Sequence, residues 1–450
     1  MTDGLRQVLR LSQVLSLTLA VVAPAASVFT FVPILVGRSG TGAIHSLLIA
    51  AIISLPVALV YAELSSAYPS AGGEYVIIRH ILGRRFGFLF LGLAVVTTIF
   101  VVALFALSAA TYIIPNASLI QLYIVFSTVI FVISIIGAIN IKRDSILVAV
   151  VLSIEALILS FITSIGFIHA SKQSITNVVV SPATLNENGT LVPATVTSII
   201  LTSAISLSVY AGFGSGVYFS EETFTARRIL PKIVLLTLGI AALSEILPVV
   251  ALLSAMADIH AFLQEKNVFF GFLVAKLGTE ANEFFNLGVA LAIVNADLAI
   301  LLMGARLMFC TGRDRVWHTI VNDALSRIHP KFQSPWIATC ICGSLAVVAL
   351  IIGLDRLVTI TSTSLVATYA AMCVCALATR HRSLRKALDY QMPWYPVPPI
   401  LGLLALLYIL YVNWMLDTNS VVATLLIFAA SGCYYHAVGL DESWYRFRRP

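Results

Sequence analysis

Apolar residues in this chain come in long blocks separated by short polar gaps, not in the period-two or one-faced patterns of soluble strands and helices. Such blocks occupy about 11–36, 43–61, 86–113, 119–139, 145–169, 196–219, 232–256, 283–310, 336–353, 357–379, 396–416 and 420–438. Crossing the hydrocarbon of a bilayer as a helix takes about 20 apolar residues. The pattern therefore predicts an all-α polytopic membrane protein with 12 transmembrane helices.

Two of the blocks are interrupted. The sixth carries Gly212, Gly214 and Gly216 in the stretch SVYAGFGSGVYFSEE, residues 208–222. Its helix should open there, and open backbone at membrane depth is tolerated only against protein or a watery cavity. The first carries Pro24, which removes an amide donor and clashes with the preceding turn; the small neighbours Ala25, Ala26 and Ser27 leave its backbone accessible. Because the apolar run continues well beyond Ala23-Pro24-Ala25, it predicts a first transmembrane helix rather than a cleaved signal peptide. Five spans separate the breaks, the spacing of a five-plus-five inverted repeat in which two discontinuous helices cross near the midplane and two further helices follow. The repeats would cover about 11–169 and 196–379, with helices eleven and twelve at about 396–438, in one transporter domain over 1–450. Half-helix N-termini suit a carboxylate, and the opposing ends offer carbonyls to an ammonium. The expected substrate-binding set is Pro24, Ala25, Ala26, Ser27, Tyr210, Ala211, Gly212, Phe213, Gly214 and Gly216.

The gaps add topology rather than chemistry. Pro69, Gly72 and Gly73 end the second helix, and the apolar residues 76–82 beside Arg79, Arg84 and Arg85 predict a short interfacial helix. A second surface helix is expected within 313–334, and the stretches 171–193 and 257–282 read as loops. With the N-terminus inside, all of the 27 Lys and Arg except Arg38, Lys172, Lys266, Lys276 and Arg356 fall on the cytoplasmic side. That asymmetry is the positive-inside signal, with both termini cytoplasmic. The net charge of +6 is thus an orientation signal, and no nucleic-acid partner is expected. Hydrophobic residues make up 59% and charged ones 11%, which leaves no room for an ordinary soluble domain. The six cysteines lack CxxC spacing and read as small buried hydrophobes, so no metal site is expected.

Glu155, Glu245 and Asp297 sit mid-span with no Lys or Arg at their depth. A lone acid there costs about 3 kcal/mol, so each must be neutral, hydrogen-bonded within the bundle, or facing a cavity. Neutral acids joining neighbouring helices would satisfy the same pattern. The functional reading makes them coupling or cation-recognition groups, Glu155 first, then Asp297, then Glu245.

The string YAELSSAYPSAGGEYVIIRHILGRRFGFLF resembles the helix 2 to helix 3 signature of the amino acid, polyamine and organocation (APC) superfamily. YAGFGSGVYFSEET is similar to its helix 6 motif and NADLAILLMGARLMFCTGRD to its helix 8 pattern. The resemblance implies a LeuT-type fold and secondary transport of amino acids or related amines. The chain departs from the family where relatives carry Gly-x-Gly at the first break and this one Ala25-Ala26-Ser27. Glu155 stands at what looks like the helix 5 position where several relatives have a lysine.

Together these readings give a permease in the plasma or bacterial inner membrane that takes up amino acids or amines by alternating access, with protons as coupling ion, a small molecule as substrate and no cofactor. A proton-independent amino acid or polyamine exchanger is the nearest rival, and a receptor that binds without transporting is a third. An enzyme is not expected: the sequence has no HExxH, no GxSxG and no His cluster, and the Gly212-x-Gly214-x-Gly216 run lacks the strand and acidic follower of a dinucleotide fold.

Overall fold

The computed structural model describes residues 5–114, 117–186, 188–256, 258–264, 268–379 and 389–437. The first apolar block is divided into α1 (Leu11–Val22) and α2 (Pro24–Ser39). Ala23 joins them with φ 54° and ψ 63°, a left-handed residue whose N–H closes α1 on the Leu19 carbonyl at 2.8 Å. The break falls one residue before Pro24 because proline fits the first position of α2, where its missing N–H goes unneeded, while the residue before it is barred from the helical region.

A 3-10 turn at Gly40–Gly42 leads into α3 (Ala43–Ala67), the short α4 (Gly73–Leu82) and the long α5 (Arg84–Ile113). Next come α6 (Leu119–Gly137) and α7 (Ile141–His169). The stretch expected as a loop holds α8 (Lys172–Val180) and an antiparallel hairpin, β1 (Ala183–Leu185) with β2 (Leu191–Pro193), in register Thr184 to Val192. Ser171 caps α8 by accepting from the Ser174 N–H at 3.0 Å, and Thr41 Oγ1 accepts from the Ala183 N–H at 2.8 Å. A side-chain cap and a contact 142 residues distant hold this segment, so its polar composition concealed it.

The sixth block is α9 (Val196–Val209), a turn through Tyr210 to Gly214 and a 3-10 segment, Ser215–Glu222. It is followed by α10 (Ala226–Ser254), then by α11 (Ile259–Leu263) and α12 (Val268–Leu277) where a loop was expected, and by α13 (Thr279–Arg313). The expected surface helix shrinks to α14 (Thr319–Leu325). Its approach is tied back instead: Trp317 Nε1 donates to Thr311 Oγ1 at 2.8 Å, and the Asn322 side chain bonds the Trp317 backbone in both directions. The chain ends in α15 (Trp336–Ala349) with a 3-10 turn, α16 (Leu354–Thr379), α17 (Val397–Leu416) and α18 (Thr418–Ala437).

Among the described residues, 9 stretches are long and apolar enough to cross a bilayer. The first, Leu11–Ala67, contains α1, α2 and α3, and two shorter apolar helices lie at Val196–Val209 and Trp336–Ile352. The inner elements are α1, α3, α5, α10 and α13: α13 packs on α5, α3 on α10, and α1 on α7. Side chains such as Phe131, Leu157, Leu404 and Leu425 point outward from α6, α7, α17 and α18, as lipid-facing surfaces do. All six cysteines are free; Cys310, Cys342, Cys373 and Cys375 are buried, while Cys340 and Cys433 are exposed. Arg306, counted from sequence with the cytoplasmic cations, lies fully buried on α13.

Candidate functional site

The two breaks meet. A methyl group on Gly212 would lie 2.9 Å from Val21 Cγ1 and 3.3 Å from the Val21 carbonyl carbon, so the turn after α9 rests directly on the end of α1. Gly212 has φ +102°, where a side chain is strained, and its N–H donates to the Tyr369 hydroxyl on α16 at 3.3 Å. Across the break in α1 and α2, the Ser27 hydroxyl donates to the Val22 carbonyl at 3.0 Å. Pro24 offers no N–H to the preceding turn.

A cavity of ≈ 160 Å³ opens beside this junction. One water needs roughly 10–15 Å³ measured this way, so the space admits a small solute. Val21, Val22 and Ser27 line it from the first break, and Ser208, Ala211, Gly212, Gly214 and Ser215 from the second. Along α5 the wall runs from Ala94 to Phe105 and along α16 from Val358 to Tyr369, a length of about 16 Å at the rise of a helix. Its surface is mostly apolar with hydroxyls interspersed, among them Thr97, Thr98, Ser362 and Thr368. Serine and threonine can bond a solute while satisfying their own helix when empty, as Thr98 does on the Ala94 carbonyl and Thr368 on that of Ser364.

Three rings close around Gly214. Tyr61 and Phe213 are 5.6 Å apart, Tyr61 and Tyr369 5.4 Å, and Phe213 and Tyr369 5.3 Å between centroids. Gly214 is required by this cluster, because a Cβ there would stand 2.2 Å from Tyr61 Cδ1. Beyond the rings Glu74, at the start of α4, accepts from the Tyr61 hydroxyl at 3.1 Å and from the Tyr218 hydroxyl, and it lines the same cavity.

Of the residues expected from sequence, Ser27, Ala211, Gly212 and Gly214 line the cavity. Pro24, Ala25 and Ala26 are buried behind that wall. Phe213 packs in the ring cluster, the Tyr210 hydroxyl donates to the Leu47 carbonyl of α3 at 3.2 Å, and Gly216 sits against Thr18 and Ile233. The three mid-span acids are dispersed. Glu155 accepts from Asn295 Nδ2 at 2.9 Å, joining α7 to α13. Glu245 and Asp297 are fully buried, and neither oxygen of either has a hydrogen-bond partner among the described residues. Tyr61, Glu74, Tyr218 and Tyr369 were not expected from sequence. The YPSAGGEY stretch was legible as a helix end beside an interfacial helix, but no local signal turns Glu74 inward.

At the end where α3, α4 and the 3-10 segment converge, ion pairs join the elements. Arg306 meets Glu222 at 2.8 Å, Arg79 meets Asp314 at 2.6 Å, and Arg313 meets Glu221 at 2.6 Å. Burial pushes the Glu221 carboxyl up, but the Arg313 fork and the Ala71 N–H outweigh it and hold the group below its usual range. Residues 8 and 9 lie alongside this end, both N–H groups donating to the Glu222 carbonyl at 2.8 Å.

Residues 9–437 match the model of a family described as amino acid permease. A branched-chain amino acid permease of Lactococcus lactis subsp. cremoris is 25% identical over 432 residues, 89% of this chain and 88% of that protein. A branched-chain amino acid permease of Bacillus subtilis is 23% identical over 218 residues, 47% of this chain and 45% of its own length. A methylthioribose transporter of the same organism is 22% identical over 274 residues, 60% of this chain and 55% of its own. The chain thus spans about half the length of each of the two Bacillus subtilis relatives.

Proposed function

The chain belongs to the amino acid permease family, and we propose that it is a secondary active transporter of amino acids or related amines, working by alternating access with proton-coupled uptake. The observation that carries this reading is the contact of Gly212 with Val21 beside a cavity of solute size. Two helix interruptions placed against each other leave backbone amides and carbonyls for the two charged ends of a zwitterion. The names of the relatives, branched-chain amino acid permeases and a methylthioribose transporter, agree in class with a small polar solute carrying apolar bulk.

In this reading the chain crosses the membrane twelve times. The first crossing is α1 with α2, the sixth α9 with its 3-10 extension as far as Phe219, and the others are α3, α5, α6, α7, α10, α13, α15, α16, α17 and α18. Residues of about 11–169 and 196–379 form inverted five-helix repeats, with two helices at about 396–438 appended, in a single transporter domain. Both termini are cytoplasmic and the membrane is the plasma or bacterial inner membrane. Ser27, Ala211, Gly212 and Gly214 contact the substrate, while Pro24, Ala25, Ala26, Tyr210, Phe213 and Gly216 shape the breaks from behind.

Proton coupling falls first to Glu155, with Asp297 and Glu245 behind it. The test is uptake of labelled amino acids and amines by the purified protein in liposomes, with and without an inward proton gradient. Concentrative uptake that needs the gradient, and is lost in Glu155→Gln, supports the reading. Uptake only into vesicles preloaded with substrate, retained in Glu155→Gln, establishes an exchanger instead. The Asn295 bond favours that second reading: Glu155 is already partnered, away from the cavity wall. Binding without flux would leave a receptor.

A further inference from the structure

The sequence motifs and the breaks account for one end of the cavity and leave Glu74 unexplained. Among the described residues that line the cavity it is the one charged side chain. Two phenols hold it: the Tyr61 hydroxyl donates to Oε1 at 3.1 Å and the Tyr218 hydroxyl donates to Oε2. Each phenol has a single proton to give, whereas a carboxylate has about four acceptor positions. Both donors come from residues already packed against neighbours, Tyr61 on Gly214 and Tyr218 on Gly73, so they fix the carboxylate in place.

A buried acid is costly as a lone anion, and an arriving cation is what favours its charged form. Among the described residues Glu74 forms no ion pair. Arg79, five residues further along the same helix, is committed to Asp314 at 2.6 Å and to the Tyr75 hydroxyl at 2.8 Å. Arg306 and Arg313 are committed to Glu222 and Glu221. The fold therefore holds an acidic side chain at the cavity wall by two donors, and among the described residues no cation pairs with it. The cavity is where one can arrive.

We propose that Glu74 is the specificity-determining residue of this cavity and receives a primary ammonium group at the far end of an alkyl-chain substrate. This rests on the reading of the cavity as the substrate site. An ammonium has three donors and fits the acceptor positions that the phenols leave free. The rings of Tyr61 and Tyr369 add faces that favour a cation over a neutral group. The Tyr61 ring touches Gly214 at one end and reaches Glu74 with its hydroxyl at the other. A substrate held at the breaks therefore needs several methylenes to bring its ammonium to Glu74, and Val21, Val101, Met303 and Leu365 provide apolar walls for them.

The experiment is equilibrium binding of lysine, 1,5-diaminopentane and norleucine to the purified full chain in detergent, which needs no flux. Lysine and norleucine differ in the terminal ammonium, and diaminopentane lacks the carboxylate that the breaks would hold. We expect lysine, diaminopentane or both to bind about tenfold or more tighter than norleucine, the worth of one charge-assisted hydrogen bond. Lysine ahead of diaminopentane identifies an amino acid as the source of the ammonium, and the reverse order an amine. In Glu74→Gln the ratio to norleucine should fall to near one, while Glu74→Asp should keep a preference for the cation. Norleucine binding as well as or better than both cations in the native protein, or a ratio unchanged in Glu74→Gln, would overturn the proposal. Liposomes that bind but move nothing would refute transport and leave Glu74 standing; flux without cation preference would do the opposite.

Discussion

Arg306 and Glu222 form a two-pronged ion pair with neither side chain accessible to solvent: Nε donates to Oε2 at 2.8 Å and Nη2 to Oε1 at 3.2 Å, at 0% and 1% exposure. The pair joins α13 to the end of the 3-10 segment that follows the second break, and Phe219 lies under the guanidinium at 5.5 Å. Removing one member leaves a buried charge alone, which costs about 3–5 kcal/mol, whereas replacing both by apolar residues is often neutral. We expect Glu222→Ala to lower the thermal unfolding midpoint in detergent strongly. The double change Arg306→Met with Glu222→Leu should recover most of the loss. If the single change is as stable as the native protein, the pair is not holding these elements together.

Gly214 tests the ring cluster. Gly214→Ala places its methyl 2.2 Å from Tyr61 Cδ1, so the ring must swing away from Glu74 and from Phe213. At Gly216 the nearest atoms are Thr18 Oγ1 at 3.0 Å and Ile233 Cγ2 at 3.2 Å, a milder crowding. Substrate binding should fall by about tenfold or more in Gly214→Ala, the equivalent of displacing one well-made contact of about 1.4 kcal/mol. Gly216→Ala should bind within a few-fold of the native protein. Equal losses at the two positions would mean that the cluster has no special part in binding.

The helix breaks were legible because glycine and proline inside apolar blocks conflict with an unbroken span whatever the tertiary context. Placing the first break at Ala23 rather than Pro24 required knowing where proline sits best in a helix. The Asn295 bond to Glu155 and the gathering of Tyr61, Glu74, Tyr218 and Tyr369 join residues far apart in sequence. No periodicity carries such information. The hairpin at Ala183 to Pro193 escaped for a related reason, since Thr41 anchors it from the far side of the chain. Ser27, Ala211, Gly212 and Gly214 line the cavity because they lie at the breaks, and the breaks were legible without tertiary context.

Acid should loosen the end of the molecule where Glu221 lies. Arg313 and the Ala71 N–H lower the Glu221 pKa on folding, so the unfolded chain binds its proton more readily than the folded one. The stabilisation is therefore complete above the ordinary glutamate value of about 4.3 and is lost as pH falls through the lower folded value. Unfolding midpoints measured from neutral pH down to about pH 3 should fall less steeply in Glu221→Gln than in the native protein. Identical pH dependence in the two would show that Glu221 is not linked to folding.

The central claim is that substrate lies between the two breaks, and cysteine protection tests it most directly. With Cys340 and Cys433, the exposed thiols, replaced by serine, Ser27→Cys, Ala211→Cys and Ala26→Cys are treated with a small water-soluble thiol reagent, with and without transported substrate. Ser27 and Ala211 line the cavity and Ala26 is fully buried behind it. The account predicts that Ser27→Cys and Ala211→Cys react and that substrate slows both together, while Ala26→Cys stays unreactive. Reaction at Ser27→Cys and Ala211→Cys at rates that saturating substrate does not change would contradict it.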